Sequence, residues 1–354
     1  MKALYNTEDW RVLKERMAQS ADKRVTVSFY KYWNIKNTQL FRDYLFTHWN
    51  DLDVFGRIYV ASEGINAQLS VPQDQLENFV EHLYSISFLD GVRLNYAIED
   101  DGKSFYKLII KIRKKIVADG LNDDTFDASD TGVHLSAKEF NQLTDEDETI
   151  LVDMRNHYES EVGHFRGAIT PDVDTFREEI ALVEDMLADK KDTNIVMYCT
   201  GGIRCEKASA WLKHQGFENV HQLNGGIIEY ARQVKNEGLE NKFRGKNFVF
   251  DERLAESISD EVISSCHQCG EPSDAHLNCR NELCHLLFIQ CGKCAEKFGK
   301  CCSYECRDFA DLPEEERRKG RKGVKFTNQD FHKGRSPRLK FKAVSNEEGS
   351  LRSD

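Results

Sequence analysis

Long apolar runs are missing from this chain. No stretch approaches the roughly 20 apolar residues that a bilayer-spanning helix needs, which argues against a membrane partner. The opening Met1-Lys-Ala-Leu-Tyr-Asn6 lacks the apolar core of a secretory signal, so a cytoplasmic location is expected. There is also no glycine-rich dinucleotide fingerprint, no recognisable non-haem iron triad, and no flavin, haem or NAD signature. A net charge of -11 argues against indiscriminate nucleic-acid binding by the whole molecule. What the chain does have is cysteine: eleven among 354 residues. In a reducing compartment these point to metal binding or thiol chemistry rather than disulfides. The length suits two or three domains, and 40% hydrophobic with 31% charged residues is a soluble globular composition.

The chemistry concentrates in Ile195-Val-Met-Tyr-Cys-Thr-Gly-Gly-Ile-Arg204. Ile195 to Tyr198 reads as a buried strand, and from Ile203 the pattern turns helical until Gly216. Cys199 then lies at the carboxyl end of a strand, where α/β sheets bind ligands. Exposed backbone N–H groups over Thr200, Gly201, Gly202 and Ile203, with the positive helix end, favour an anion such as a thiolate. The glycines let the backbone curl around that charge and Arg204 adds a cation. A buried structural cysteine accounts for the same letters with less chemistry.

Taken in order, residues 1–117 alternate strand and helix as strand, helix, two strands, helix, strand, followed by a further strand. That is a ferredoxin-like α+β order with one extra strand. In the last run, Phe105 to Val117, Lys107, Lys111, Arg113 and Lys115 alternate with apolar residues. Such a row could follow a phosphate backbone, or be an ordinary solvated face. Asn66, in Glu63-Gly-Ile-Asn66, offers an amide to a substrate or simply starts a strand. Residues 118–131, rich in Asp, Asn, Gly and Ser, read as a linker. Residues 132–241 alternate strands and helices, which implies an α/β unit with a covered parallel sheet. In it Ser136-Ala-Lys-Glu139 is a capping box. Asp153 and Arg155 orient the loop or form a structural pair, and Cys205 either resolves an oxidised Cys199 or packs beneath the helix. His157 and His164 receive no proton-transfer role.

Nine of the eleven cysteines lie in residues 242–312. They form four clusters: Cys266 with Cys269, Cys279 with Cys284, Cys291 with Cys294, and Cys301-Cys302 with Cys306. Thiolates at this spacing can turn onto one ion, so one or two structural zinc sites are expected. A cross-braced arrangement pairs the first cluster with the third and the second with the fourth. Cys301 and Cys302 compete for one place, and His267, His276 or His285 could substitute. Residues 313–354 are a basic tail expected to be disordered, in which Arg317, Arg318, Arg321 and Lys322 are candidate phosphate contacts.

Val152-Asp-Met-Arg155, Gly163-His-Phe-Arg-Gly-Ala-Ile169, the Cys199 loop and Gly225-Gly-Ile227 resemble the ordered signature of a rhodanese domain. The resemblance implies a loop cysteine that carries a persulfide. The C-x4-R spacing from Cys199 to Arg204 is typical of rhodaneses, whereas phosphatases of this fold use the wider C-x5-R. Beyond this unit, Ser28-Phe-Tyr-Lys-Tyr32, Glu63-Gly-Ile-Asn-Ala67, Asp100-Asp-Gly-Lys-Ser-Phe105, Gly245-Lys-Asn-Phe-Val-Phe-Asp-Glu252 and Cys266-His-Gln-Cys-Gly270 resemble the bacterial rhodanese-domain tRNA uridine hydroxylases. That resemblance implies molecular oxygen as co-substrate, the anticodon loop of tRNA as partner and Cys199 as the essential residue. It leaves the oligomeric state open. A plain sulfurtransferase and a non-enzymatic RNA-binding adaptor are the competing expectations.

Overall fold

Alternation of side chains decides the first sheet. The computed structural model describes residues 4–6, 8–20, 22–123, 125–321 and 339. Its first elements are α1 (Trp10–Gln19), β1 (Arg24–Tyr32), α2 (Thr38–Asp51), β2 (Phe55–Ala61), β3 (Gly64–Pro72), α3 (Leu76–Ser85), β4 (Asn95–Tyr96) and β5 (Leu108–Ile112). Along β1, Val27 and Phe29 enter a core with Leu45, Trp49, Phe79 and Leu83 of the two helices behind the sheet. Ser28, Tyr30 and Tyr32 therefore occupy the opposite face. The strand order β4-β1-β3-β2-β5, with β5 parallel to β2, is the expected ferredoxin-like arrangement extended by one edge strand.

Two features here differ from the sequence reading. Helix α1, begun by Asp9 accepting from Arg11 N at 2.8 Å, was not anticipated. The basic row is also broken up. β5 ends at Ile112, and the chain folds back over the sheet where the Glu63 carboxylate accepts from Ile116 N at 2.6 Å. Lys111 alone of the four lies within the strand. Lys115 turns to Asp119 at 2.5 Å, and Arg113 lies over the Tyr59 ring.

The central sheet is parallel throughout, in the order β6-β10-β9-β7. Its strands are β6 (Val133–Leu135), β7 (Ile150–Asp153), β9 (Ile195–Tyr198) and β10 (Val220–Leu223), with β8 (Gly163–Phe165) set apart in chain order between them. The helices are α4 (Ala137–Leu143), α5 (His157–Ser160), α6 (Phe176–Met186), α7 (Ile203–His214) and α8 (Gly226–Glu237). Every residue of β9 is buried, as a central strand covered on both faces requires. Ser136 caps α4 through the expected capping box with Glu139.

The run 163–169 contains β8. It pairs antiparallel with β11 (Phe243–Phe248), which also holds β12 (Ala255–Ser257). Beyond come β13 (His276–Asn278), β14 (Leu287–Ile289), α9 (Gly292–Phe298) and α10 (Tyr304–Ala310). Helix α11 (Glu314–Arg321) falls where a disordered tail was expected. Glu314 explains it: this residue holds Arg317 and Arg318 one turn on, and Arg11 of α1 at 3.1 Å. Lys322 lies outside the described residues.

Candidate active site

Cys199 follows the last residue of β9 and faces the start of α7, the position the sequence assigned to it. Its side chain is fully buried, with 0% exposure. The sulfur accepts from Gly202 N at 3.1 Å. Burial pushes its pKa up, but the Cys205 thiol, the Arg204 charge and the N–H groups of Cys205 and Arg204 outweigh burial and bring it down to about 6. Burial, and then the same hydrogen bond, push the Cys205 thiol well up.

The loop can close this tightly because of two glycines. Gly202 has φ +101, and a Cβ there would stand 2.8 Å from the Tyr30 hydroxyl. Gly226 lets α8 approach the loop so closely that a Cβ would meet the Cys199 carbonyl oxygen at 2.5 Å. In return Ile227 N donates to that oxygen at 3.0 Å, and Ile228 N to Thr200 O at 3.2 Å.

Arg204 forms a two-pronged pair with Glu159, at 2.7 and 2.8 Å, and reaches the Thr200 hydroxyl at 3.4 Å. Its guanidinium lies 6.0 Å from the centroid of Phe250. Sequence reasoning did not find Glu159. The Asn156-Glu159 capping box of α5 places it, a pattern legible only once that short helix is known. Nor did it find Glu179 of α6, whose two carboxyl oxygens are buried without a hydrogen-bond partner. Burial pushes this carboxyl well above the usual range against the pull of Arg204, so it is neutral.

The first sheet covers the loop. The Tyr30 hydroxyl donates to Glu206 at 2.8 Å, and the Tyr32 hydroxyl to Ile203 O at 3.2 Å. Lys207, almost fully buried, is held by Glu63 at 2.7 Å and by Asp119. Glu63 and Asn66 are thus braces for the crossing segment, with Asn66 donating to Ile116 O at 3.4 Å. Asp153 and Arg155 pair at 2.7 and 2.8 Å beneath the sheet, with Tyr198 donating to Asp153 and Arg155 to Gly163 O.

The cysteine-rich segment brings two sets of four thiols together. Cys266, Cys269, Cys291 and Cys294 form one, and Cys279, Cys284, Cys302 and Cys306 the other, each with sulfurs within 4.8 Å of one another. Separations of 3.6 Å, as between Cys269 and Cys291, match the edge of about 3.8 Å that a tetrahedron of zinc–sulfur bonds requires. Both sets could hold a metal ion. The competition within Cys301-Cys302 is resolved: Cys302 joins the cluster, while the Cys301 thiol faces Gly299 O. His267, His276 and His285 are outside both sets.

Fold and loop together define a rhodanese-type protein with a short thiolate loop set between two further units. Residues 136–233 match the model of the rhodanese-like domain, 24–116 that of the UPF0176 acylphosphatase like domain, and 244–307 that of the rhodanase C-terminal region. A Photorhabdus laumondii protein named tRNA uridine(34) hydroxylase is 55% identical over 336 residues, 95% of this chain and 96% of that one. A protein of the same name from Leptospira interrogans is 53% identical over 334 residues, 94% and 91% of the two chains. The chain belongs to the tRNA uridine(34) hydroxylase family. Among solved structures, a rhodanese-like domain from Anabaena is 21% identical with TM-score 0.26, over 32% of this chain and 78% of that one. A thiosulfate sulfurtransferase from Pseudomonas aeruginosa is 23% identical with TM-score 0.26, over 31% and 20%.

Proposed function

We propose that this chain is an oxygen-dependent oxidoreductase that converts the wobble uridine of tRNA, position 34 in the name its relatives carry, to 5-hydroxyuridine. The observation that carries the reading is Cys199. It is a thiolate near neutral pH in a loop whose amides and arginine hold negative charge, within a chain related to those hydroxylases almost end to end. In the mechanism we favour, the uridine leaves the anticodon stack and presents its ring to the loop. The thiolate adds to C6, which makes C5 electron-rich. C5 takes one oxygen atom from dioxygen; the other leaves as water, with two electrons and two protons from an external dithiol that is oxidised to its disulfide. Loss of the C5 proton then expels the thiolate and restores the ring. Gly202 N–H, the amides at the start of α7 and Arg204 stabilise the sulfur as it leaves.

The two thiol clusters supply structure in this reading. Four sulfur ligands leave a zinc ion no open position, so each would brace the segment rather than activate substrate.

Analysis of tRNA nucleosides by mass, after incubation with and without oxygen, tests the proposal. It expects a gain of one oxygen atom that depends on oxygen and vanishes in Cys199→Ser. The C-x4-R loop favours sulfur transfer as the second reading, and a gain of sulfur indifferent to oxygen would establish it instead. A tRNA bound but unmodified under both conditions would leave the adaptor reading.

A further inference from the structure

A cavity of about 310 Å³ lies where the first sheet, β11 and the cysteine-rich segment meet. That is large enough for a small ligand. Tyr106 and Phe250 give it aromatic walls, and its lining carries Arg57 and Lys107 together with Asp251 and Glu252, whose carboxylates are paired to Arg253 and Lys14. Two lining residues hold left-handed backbone although neither is glycine: Leu254 at φ +62 and His285 at φ +45. Backbone strain of this kind persists where the surrounding structure holds it, and it gathers at ligand sites. His285 follows Cys284, so the second thiol cluster fixes this wall.

The cavity is connected to the thiolate loop by the sheet itself. Cross-strand pairing sets Asn95 opposite Ser28, Ser28 opposite Gln68, Gln68 opposite Arg57, and Arg57 opposite Ile109. This is one straight row over all five strands, on the face away from the helices. At its start the Asn95 amide nitrogen stands 3.7 Å from where a Gly201 Cβ would be, and its Oδ1 is buried without a partner. At its end Arg57 and Ile109 line the cavity. From Asn95 to Arg57 the row covers three strand spacings, about 14 Å. Phe250 joins the two places again, with its ring centroid 6.0 Å from the Arg204 guanidinium on one side and its side chain lining the cavity on the other.

We propose that this cavity takes a second unstacked base of the same tRNA, a few nucleotides from the target uridine. The base would sit against Tyr106 and Phe250, with its phosphate on Arg57 and Lys107. Sheets of this topology accept two or three bases across such a face, and aromatic walls beside cations suit any base. The inference rests on tRNA being the substrate, and gives the anticodon loop a second anchor.

The test uses the full-length enzyme and an anticodon stem-loop RNA in which one abasic nucleotide is moved through the loop. With wild-type protein, one abasic position other than the target raises KM about tenfold, the effect of one stacked base. Tyr106→Ala raises KM for the intact RNA to a similar extent, and the same abasic position then has no further effect. Its Cys199 is alkylated by iodoacetamide at the wild-type rate, which distinguishes a lost base contact from a damaged loop. Arg57→Ala weakens all the RNAs alike and flattens the salt dependence. If Tyr106→Ala leaves KM unaltered, or multiplies with every abasic position, the cavity does not hold a base. Wild-type enzyme that hydroxylates nothing would fail the proposed function instead. The same cycle, read as RNA binding by fluorescence anisotropy, would then still decide the cavity.

Discussion

A strand end, two glycines and an arginine near the start of a helix put Cys199 and Arg204 on one loop. What spacing could not carry is the charge balance that sets the thiolate. Arg204 is shared between the Cys199 sulfur and the Glu159 carboxylate, and a buried Glu179, whose carboxyl is pushed toward its neutral form, lies within electrostatic range of them. Those two glutamates come from other elements, so the local sequence is silent about them. The balance can be tested by the pH dependence of Cys199 alkylation. A thiol whose pKa lies below its usual value is ionised above that pKa and protonated as pH falls through it. The rate should therefore rise with an inflection near pH 6 in the wild type. In Arg204→Met the inflection should move upward, because a favourable charge is gone. In Glu179→Gln it should stay in place, because a carboxyl that is already neutral contributes no charge. A downward or upward shift in Glu179→Gln would mean that Glu179 is ionised.

At the scale of elements, strands with clean alternation were readable, and so were helices with a cap. β1, α4 and β9 fall close to where the pattern puts them. The misreadings share a cause. β8 is three residues long and exists because β11, some eighty positions later, pairs with it. α11 exists because α1 offers Arg11 to Glu314. The strand read over 105–117 stops short because Glu63 takes up Ile116 N soon after Ile112. Each is a long-range partner overriding local preference. The join between α7 and the first sheet gives a prediction of this kind. Gly202→Ala must adopt a left-handed conformation and also meet the Tyr30 hydroxyl. Destabilisation of about 1–3 kcal/mol is expected by denaturant unfolding. In a Tyr30→Phe background part of it should return, since the contact is relieved and the backbone strain remains. Full additivity of the two changes would show that the hydroxyl is not what confines the glycine.

At the scale of the molecule, the cysteine-rich segment has little to fold around except its own thiols. Strands β13 and β14 are three residues each, and the buried cluster here contains Cys279, Cys301, Cys302 and Cys306 beside Leu286 and Phe288. The cross-braced pairing was readable because it needs only the order of the clusters. The choice of Cys302 over Cys301 needed the backbone. If both sets are filled, elemental analysis of purified protein should find two zinc ions per chain. Stripping them with a strong chelator should unfold this segment and lower Tm, with recovery on adding zinc. One zinc per chain, or a Tm indifferent to chelation, would overturn the two-site reading. His267 paired with Glu161 at 2.5 Å ties this segment to α5's neighbourhood, so its loss should be felt near Arg204.

The complete burial of the Cys199 sulfur has a consequence for the lifetime of the protein. A catalyst that handles an oxidant must avoid being consumed by it, and an ionised thiol is the form that peroxides attack. Here the sulfur is screened from bulk water by the first sheet and hydrogen-bonded by the Cys205 thiol and the loop amides. On the proposed reading, stray peroxide would reach it only when that cover opens, and the uridine entering the loop would fill the opened space. Durability and substrate admission thus depend on the same closure. A chain with a looser cover would lose turnovers to self-oxidation before it lost its fold.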